Sequence, residues 1–156
     1  MIVGVLSDTH GSLHPRLMPA FQEAGVELIL HAGDVGKLRV LDQLQQLAPV
    51  IAVRGNIDDG GELSHLPEEE RFTKGGVDVY ITHIGAKPNM WLRGLPQPRP
   101  HVAICGHSHI PLLERAQGVL FLNPGAAGIQ ARFGQPPTAA ILTLSEGSAS
   151  AEVLEL

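Results

Sequence analysis

Cysteine occurs once in these 156 residues, at Cys105. An internal disulfide is therefore excluded, and a reducing compartment is the expected setting. Long apolar runs are missing too, since no stretch approaches the roughly 20 residues needed to span a bilayer. The N-terminus lacks the basic region and cleavage site of a signal peptide, so its apolar start reads as a first strand and the cytoplasm is the expected location. Basic clusters are also absent. The 11 Lys and Arg are scattered and the formal charge is −5, which leaves no footprint for duplex nucleic acid. Repeats, low-complexity tracts and domain boundaries are lacking as well. With 44% hydrophobic and 17% charged residues, the composition is ordinary for a globular protein of one domain, residues 1–156, able to bury a core without staples.

What the chain does hold is five short apolar runs that each end in metal-binding side chains. Met1 to Leu6 runs into Asp8-Thr9-His10, and Val26 to Leu30 into Gly33-Asp34. Val50 to Val53 leads to Gly55-Asn56, Val77 to Ile81 to Thr82-His83, and His101 to Cys105 to Gly106-His107-Ser108-His109. Runs of this length read as buried strands. Ligands at the same end of adjacent strands converge on one sheet edge, where α/β sites form.

Between the first runs, helical spacing recurs. Leu13, Leu17, Phe21 and Ala24 follow Pro15 and precede Gly25; Lys37 to Ala48 repeats the pattern until Pro49. Two strand-helix-strand units imply a parallel sheet. Asp59-Gly60-Gly61 and Lys74-Gly75-Gly76 are turn signals, and the prolines of the 94–100 stretch oppose a helix. From Leu112 onward, short apolar runs separated by Gly, Pro and Ser predict antiparallel hairpins. The expected fold is α/β: a mixed parallel and antiparallel sheet, single or split into two packed layers, with helices outside.

Taken singly, the strand ends are ambiguous. Asp8 serves equally as a cap for the first helix, and Asp34 as a cap for the second. Asn56 sits in a Gly- and Asp-rich stretch typical of turns, with Asp58 and Asp59 either facing solvent or supporting a ligand. Gly106-His107-Ser108-His109 is the most specific element, against the alternative of a buried, hydrogen-bonded histidine pair. Jointly, Asp8, His10, Asp34, Asn56, His83, His107 and His109 supply seven mixed N and O donors. That set suits two divalent first-row metals better than a sulfur-rich structural zinc. Cys105 lies within a strand pattern and reads as core.

These five motifs, in this order, resemble those of the calcineurin-like metallophosphoesterases over Met1 to about Gly125. Small size, Asn123-Pro124-Gly125 and the lack of a large cap resemble the small bacterial and archaeal phosphodiesterase branch. The resemblance implies a mixed-sheet β-sandwich flanked by helices. It implies one metal on Asp8, His10 and His109, a second on Asn56, His83 and His107, and Asp34 bridging. Mn2+ heads the implied ions, with Ni2+, Fe2+, Zn2+ and Mg2+ also compatible. The implied activity is hydrolysis of a small phosphodiester by a water or hydroxide shared between the ions. A phosphomonoesterase or nucleotide pyrophosphatase on the same site is the alternative, as is a non-catalytic scaffold resembling the retromer subunit. A homo-oligomer is compatible with all of these.

Two departures bear on the chemistry. Many members carry His after Gly-Asn, where this chain has Ile57, which cannot donate a proton or a hydrogen bond. Many also have Gly-His after the lone His, where this chain has Ile84-Gly85. Both changes speak against monoester hydrolysis. Elsewhere, His31 is expected to be buried in support of a ligand, while His14, His65 and His101 lack a constellation. Arg54, Arg93 and Arg132 are candidates for gripping phosphate or for surface ion pairs. The Gly85 to Pro100 loop, with the lone tryptophan in Met90-Trp91-Leu92, is read as packing or an oligomer contact, with a lid as the alternative.

Overall fold

Val3, Val5, Leu28 and Leu30 turn one way from their strands, while Leu6 and Ile29 turn the other. That period-two alternation with both faces apolar defines strands covered on both sides. The computed structural model describes residues 1–129 and 133–156. Its strands are β1 (Ile2–Leu6), β2 (Leu28–His31), β3 (Val50–Ala52), β4 (Glu69–Lys74), β5 (Val77–Thr82), β6 (Val102–Ile104), β7 (Leu112–Ala116), β8 (Val119–Asn123), β9 (Thr138–Ser145) and β10 (Ser148–Glu155). The helices are α1 (Leu17–Glu23), α2 (Leu38–Gln45) and the short α3 (Pro88–Trp91).

The strands form two five-stranded sheets, ordered β10-β9-β1-β2-β3 and β4-β5-β6-β8-β7. Each is mixed: β1, β2 and β3 run parallel, with β9 antiparallel to β1 and β10 antiparallel to β9, and β5, β6 and β8 run parallel, with β4 antiparallel to β5 and β7 to β8. Val3, Val5, Leu30 and Leu142 of the first sheet meet Val79, Ile81, Ile104 and Leu122 of the second in a central core. Outside the first sheet, Leu17 and Phe21 of α1 and Val40, Leu41 and Leu44 of α2 cover Leu6 and Ile29. Outside the second, Trp91, Leu92 and Leu95 cover Tyr80, Ala103 and Phe121. Burying each such side chain contributes about 1.5–3 kcal/mol. The expected sandwich with helices outside is thus the fold. Among the described residues, no helix is long and apolar enough to cross a membrane.

Both helices are shorter than their spacing predicts. The chain before α1 is held by a bond from the His14 amide to the Ala127 carbonyl at 2.9 Å, so the helix begins only at Leu17. Past Gln45, α2 tightens into a turn closed by Leu47 N to Leu44 O at 3.0 Å. Trp91 is buried with its ring centroid 5.6 Å from that of Phe121, so this side chain packs on the second sheet, whereas Met90 beside it is exposed.

Candidate metal centre

β1, β2 and β3 end toward the loops that carry Asp8 and His10, Asp34, and Asn56; β5 and β6 end toward His83 and the His107–His109 loop. Because the two sheets pack face to face, loops from both meet. The loops after β1 and β2 are joined by bonds from Asp8 N to Gly33 O at 2.9 Å and from His10 N to Asp34 O at 3.0 Å. Asp8, His10, Asp34, His107 and His109 all have left-handed backbones, with φ of 54°, 47°, 54°, 69° and 59°. Such a conformation costs a non-glycine residue about 1–2 kcal/mol. Of the three other non-glycine cases among the described residues, Gln117 and Glu146 stand before a glycine in hairpin turns, and Phe133 also precedes a glycine. Backbone strain concentrates at functional sites, and here it falls on five of the seven expected donors.

The side chains converge. His109 Nε2 lies 3.2 Å from Asp8 Oδ1, and His10 Nε2 lies 3.6 Å from Asp34 Oδ2 and 4.0 Å from Asp8 Oδ1. His83 Nε2 lies 3.4 Å from Asp34 Oδ1. Asp8, His10 and His109 offer ligand atoms within 4.8 Å of one another, and so do Asp8, Asp34 and His83. The two oxygens of Asp34 thus face different histidines, an arrangement that allows one carboxylate to serve two cations. Asp8 Oδ1 and His83 Nε2 are buried with no hydrogen-bond partner among the described residues. Buried polar atoms without partners are costly, and a cation would satisfy both. The donor set therefore fits divalent ions. His107 is exposed and outside these two groups, and Asn56 is exposed as well. His107 nevertheless stacks edge-on against His83 at 5.2 Å, and Asn56 lines a cavity of about 340 Å³ with Arg54, Thr82, His83 and Ile84.

Electrostatics follow from these contacts. Burial works against ionisation of Asp34, but His83, the Ile57 amide at 3.2 Å and the charge of His10 outweigh it and bring its pKa down to about 2. Burial raises Asp8, only partly offset by the Ser7 hydroxyl and by His83 and His109. For His83, burial favours the neutral ring, yet Asp34 and the Ala32 carbonyl prevail and raise it. His83 Nδ1 lies 2.7 Å from that carbonyl, so Nδ1 carries the proton and Nε2 faces the site.

A second layer of residues fixes the loops. Ser7 Oγ donates to the Gly125 carbonyl at 2.9 Å and also contacts Asp8 Oδ2. Thr9 Oγ1 donates to Val35 O at 2.9 Å and lies 3.0 Å from His31 Nε2, so His31 supports the Asp8–His10 loop through Thr9. Asp58 accepts bonds from the amides of Val35, Gly36 and Gly55 at 3.0, 2.9 and 2.8 Å. Asn123 Nδ2 donates to Gly106 O at 2.8 Å and Ser108 Oγ at 3.1 Å, while its Oδ1 accepts from Gly125 N at 2.9 Å. Ser7 and Asn123 went unread as site residues; their signal was their place at the end of an apolar run.

Several sequence readings are corrected. Neither Asp8 nor Asp34 caps a helix: α1 and α2 are preceded by Arg16 and Lys37, and neither of these makes a side-chain cap bond. Asp58 is fully buried, so the solvent-facing alternative fails, whereas Asp59 is exposed and paired with Arg54 at 3.5 Å. His107 and His109 are not a buried pair, since His107 is open to solvent. Arg54 is engaged by Glu68 at 2.5 Å as well as by Asp59, which favours its ion-pair reading. Arg93 is exposed, and Arg132 lies outside the described residues. Cys105 is buried as expected, its thiol pushed up to about 12 by burial.

Sheets, loops and donor set together are those of a metal-dependent phosphoester hydrolase. Residues 1–147 match the calcineurin-like phosphoesterase superfamily domain, and the chain belongs to that superfamily. It is similar to a probable metallophosphoesterase of Methanocaldococcus jannaschii, 34% identical over 137 residues that cover 81% of this chain and 68% of the relative. A phosphodiesterase of the same organism is 32% identical over 142 residues, covering 80% of this chain and 83% of that one. Among solved structures, Vps29 of Chaetomium thermophilum superposes with a TM-score of 0.82 over 100% of this chain and 95% of its own, at 16% identity. That last likeness is one of fold alone.

Proposed function

We propose that this protein is a phosphodiesterase that holds two divalent cations, Mn2+ first among them, and hydrolyses small phosphodiesters. The observation that carries the reading is the pair of donor groups sharing Asp8, with the two oxygens of Asp34 turned to His10 and His83. Asp8, His10 and His109 would hold one ion, His83, Asn56 and His107 the other, and Asp34 both. Bound there, the ions supply Lewis acidity and lower the pKa of a coordinated water from 15.7 toward about 7.

The chain's own residues set the rest. His83 keeps its Nδ1 proton on Ala32 O, which leaves Nε2 as a donor atom. The cavity beside Asn56 and His83 admits an ester arm of the substrate. Ile57 and Ile84, both exposed, offer no proton to a leaving group. An ester whose leaving group is stable as an anion is accordingly favoured, and a second ester arm costs nothing in unmet charge. That supports diesters over monoesters. A non-catalytic scaffold on the same fold is the second reading; the retained donor set speaks for the enzyme.

The test is direct. Purified protein loaded with Mn2+ should carry about two ions per chain and cleave an activated aryl phosphodiester faster than the matching monoester. Two bound ions without turnover of either ester, with several metals tried, would favour the scaffold.

A further inference from the structure

Eight large hydrophobic side chains stand exposed among the described residues, and four of them border the proposed metal centre. Ile57 follows Asn56, Ile84 follows His83 and Ile110 follows His109, so each Cα lies about 3.8 Å from that of a proposed ligand. Their exposures are 50%, 57% and 54%, and Phe133 is exposed at 78%. The Phe133 ring nonetheless makes a T-shaped contact with His109, centroids 5.2 Å apart. Isolated exposed hydrophobics are ordinary, but a group of them around one polar site marks a binding surface. Ile84 lines the cavity beside Asn56 and His83, and the cation in that wall, Arg54, is already engaged by Glu68 and Asp59. Glu68 and Asp59 line the same wall, so its charges are paired with one carboxylate in excess and Ile84 supplies its apolar side chain.

We propose that Ile84 and Phe133, with Ile57 and Ile110 beside them, form an apolar rim that selects phosphodiesters carrying a flat aromatic ester group. The proposal rests on the diesterase reading and deepens it. His83 and His109 belong to different donor groups. Ile84 adjoins the first of these histidines in sequence and Phe133 contacts the second, so a phosphate held between them would have an apolar side chain on either side. An aromatic arm gains from leaving water against isoleucine and from an edge or face contact with Phe133, whereas a methyl arm gains little.

The experiment uses Zn2+-loaded protein with carbon-13-labelled isoleucine methyls, titrated separately with diphenyl phosphate and dimethyl phosphate. Diphenyl phosphate should bind at least about tenfold tighter, the low end of discrimination by an apolar pocket. It should also shift the Ile84 methyl signal by its ring current, which dimethyl phosphate cannot do. Ile84→Ser and Phe133→Ala, both at exposed positions, should each cut the affinity ratio to about threefold or less. Equal affinities, an unmoved Ile84 methyl, or an unchanged ratio in both variants would overturn the rim. So would a dimer that buries these side chains, seen by sedimentation and by an Ile84 signal that moves on dilution. Failure of the diesterase reading looks different: para-nitrophenyl phenyl phosphate is not cleaved with any divalent metal, while the affinity ratio and the Ile84 shift persist and still support the rim.

Discussion

The His107 amide donates to Asp8 Oδ2 at 3.0 Å, across 99 residues of sequence. Asp8 stands at the end of a strand in one sheet and His107 at the end of a strand in the other. One carboxylate oxygen thereby ties the two halves of the sandwich, while the other, Oδ1, is buried and turned to His10 and His109. Asp8 is thus both a structural tie and a proposed metal ligand, and the candidate site depends on the packing of the sheets.

Asp34→Asn keeps the shape of the side chain and removes the charge that His10 and His83 face. Bound metal per chain should fall from about two ions to below one, and diester turnover by at least about 100-fold, beyond what loss of a supporting residue costs. Elemental analysis after gel filtration reads the first. A variant that keeps two tightly held ions removes Asp34 as the bridge.

Asp58 is not among the proposed metal donors, yet its carboxylate accepts three backbone amides from the loops after β2 and β3. Asp58→Ala leaves those buried donors unmet and should cost about 2–3 kcal/mol in a urea titration. Metal affinity should drop about 10–100-fold, because Asp34 and Asn56 lose their common anchor. Asp58→Asn retains one acceptor oxygen and should fall between the two. Equal metal affinity in all three proteins would confine Asp58 to a role in folding.

The parallel β1-β2-β3 order was legible because apolar runs alternate with helical spacing punctuated by Pro15, Gly25 and Pro49. β4 escaped notice because Glu69, Glu70 and Lys74 make it an exposed edge on which only Phe72 packs on the core. Its one signal was the Gly75-Gly76 turn into β5. The donor residues were legible by type and order, but the left-handed backbones of Asp8, His10 and His109 were not, since local sequence demands them nowhere. Asp58 and Asn123 act on amides and carbonyls of distant loops, a role that exists only once the sheets have packed.

Gly33 and Gly25 both have positive φ, +90° and +70°, but their surroundings differ. A Cβ on Gly33 would lie 2.6 Å from His83 Nδ1, whereas one on Gly25 would meet nothing within 4 Å. Gly25→Ala should therefore cost only the backbone strain, about 1 kcal/mol, with activity intact. Gly33→Ala adds a steric push on His83 and should cost about 3 kcal/mol while abolishing metal-dependent turnover. Similar stabilities and activities for the two variants would show that His83 yields without consequence.

His31 is fully buried, and burial lowers its pKa from 6.5 to about 3, reinforced by His83 and only partly countered by Asp34. Between those values the unfolded chain takes up a proton that the folded protein refuses, so stability falls as pH drops below about 6.5. In the middle of that window one such proton amounts to about 1.4 kcal/mol per pH unit. His31→Gln retains a donor for Thr9 Oγ1 and carries no titrating ring. Compared in chelator by urea titration between about pH 6 and pH 4, the variant should show a shallower loss of stability by that slope. Its native-state counterpart is an NMR titration in which the His31 ring signals stay flat across the same range. Identical slopes, or a His31 ring that protonates near 6, would mean that water reaches this histidine and that the Asp8–His10 loop is less tightly closed over it than the bonds through Thr9 indicate.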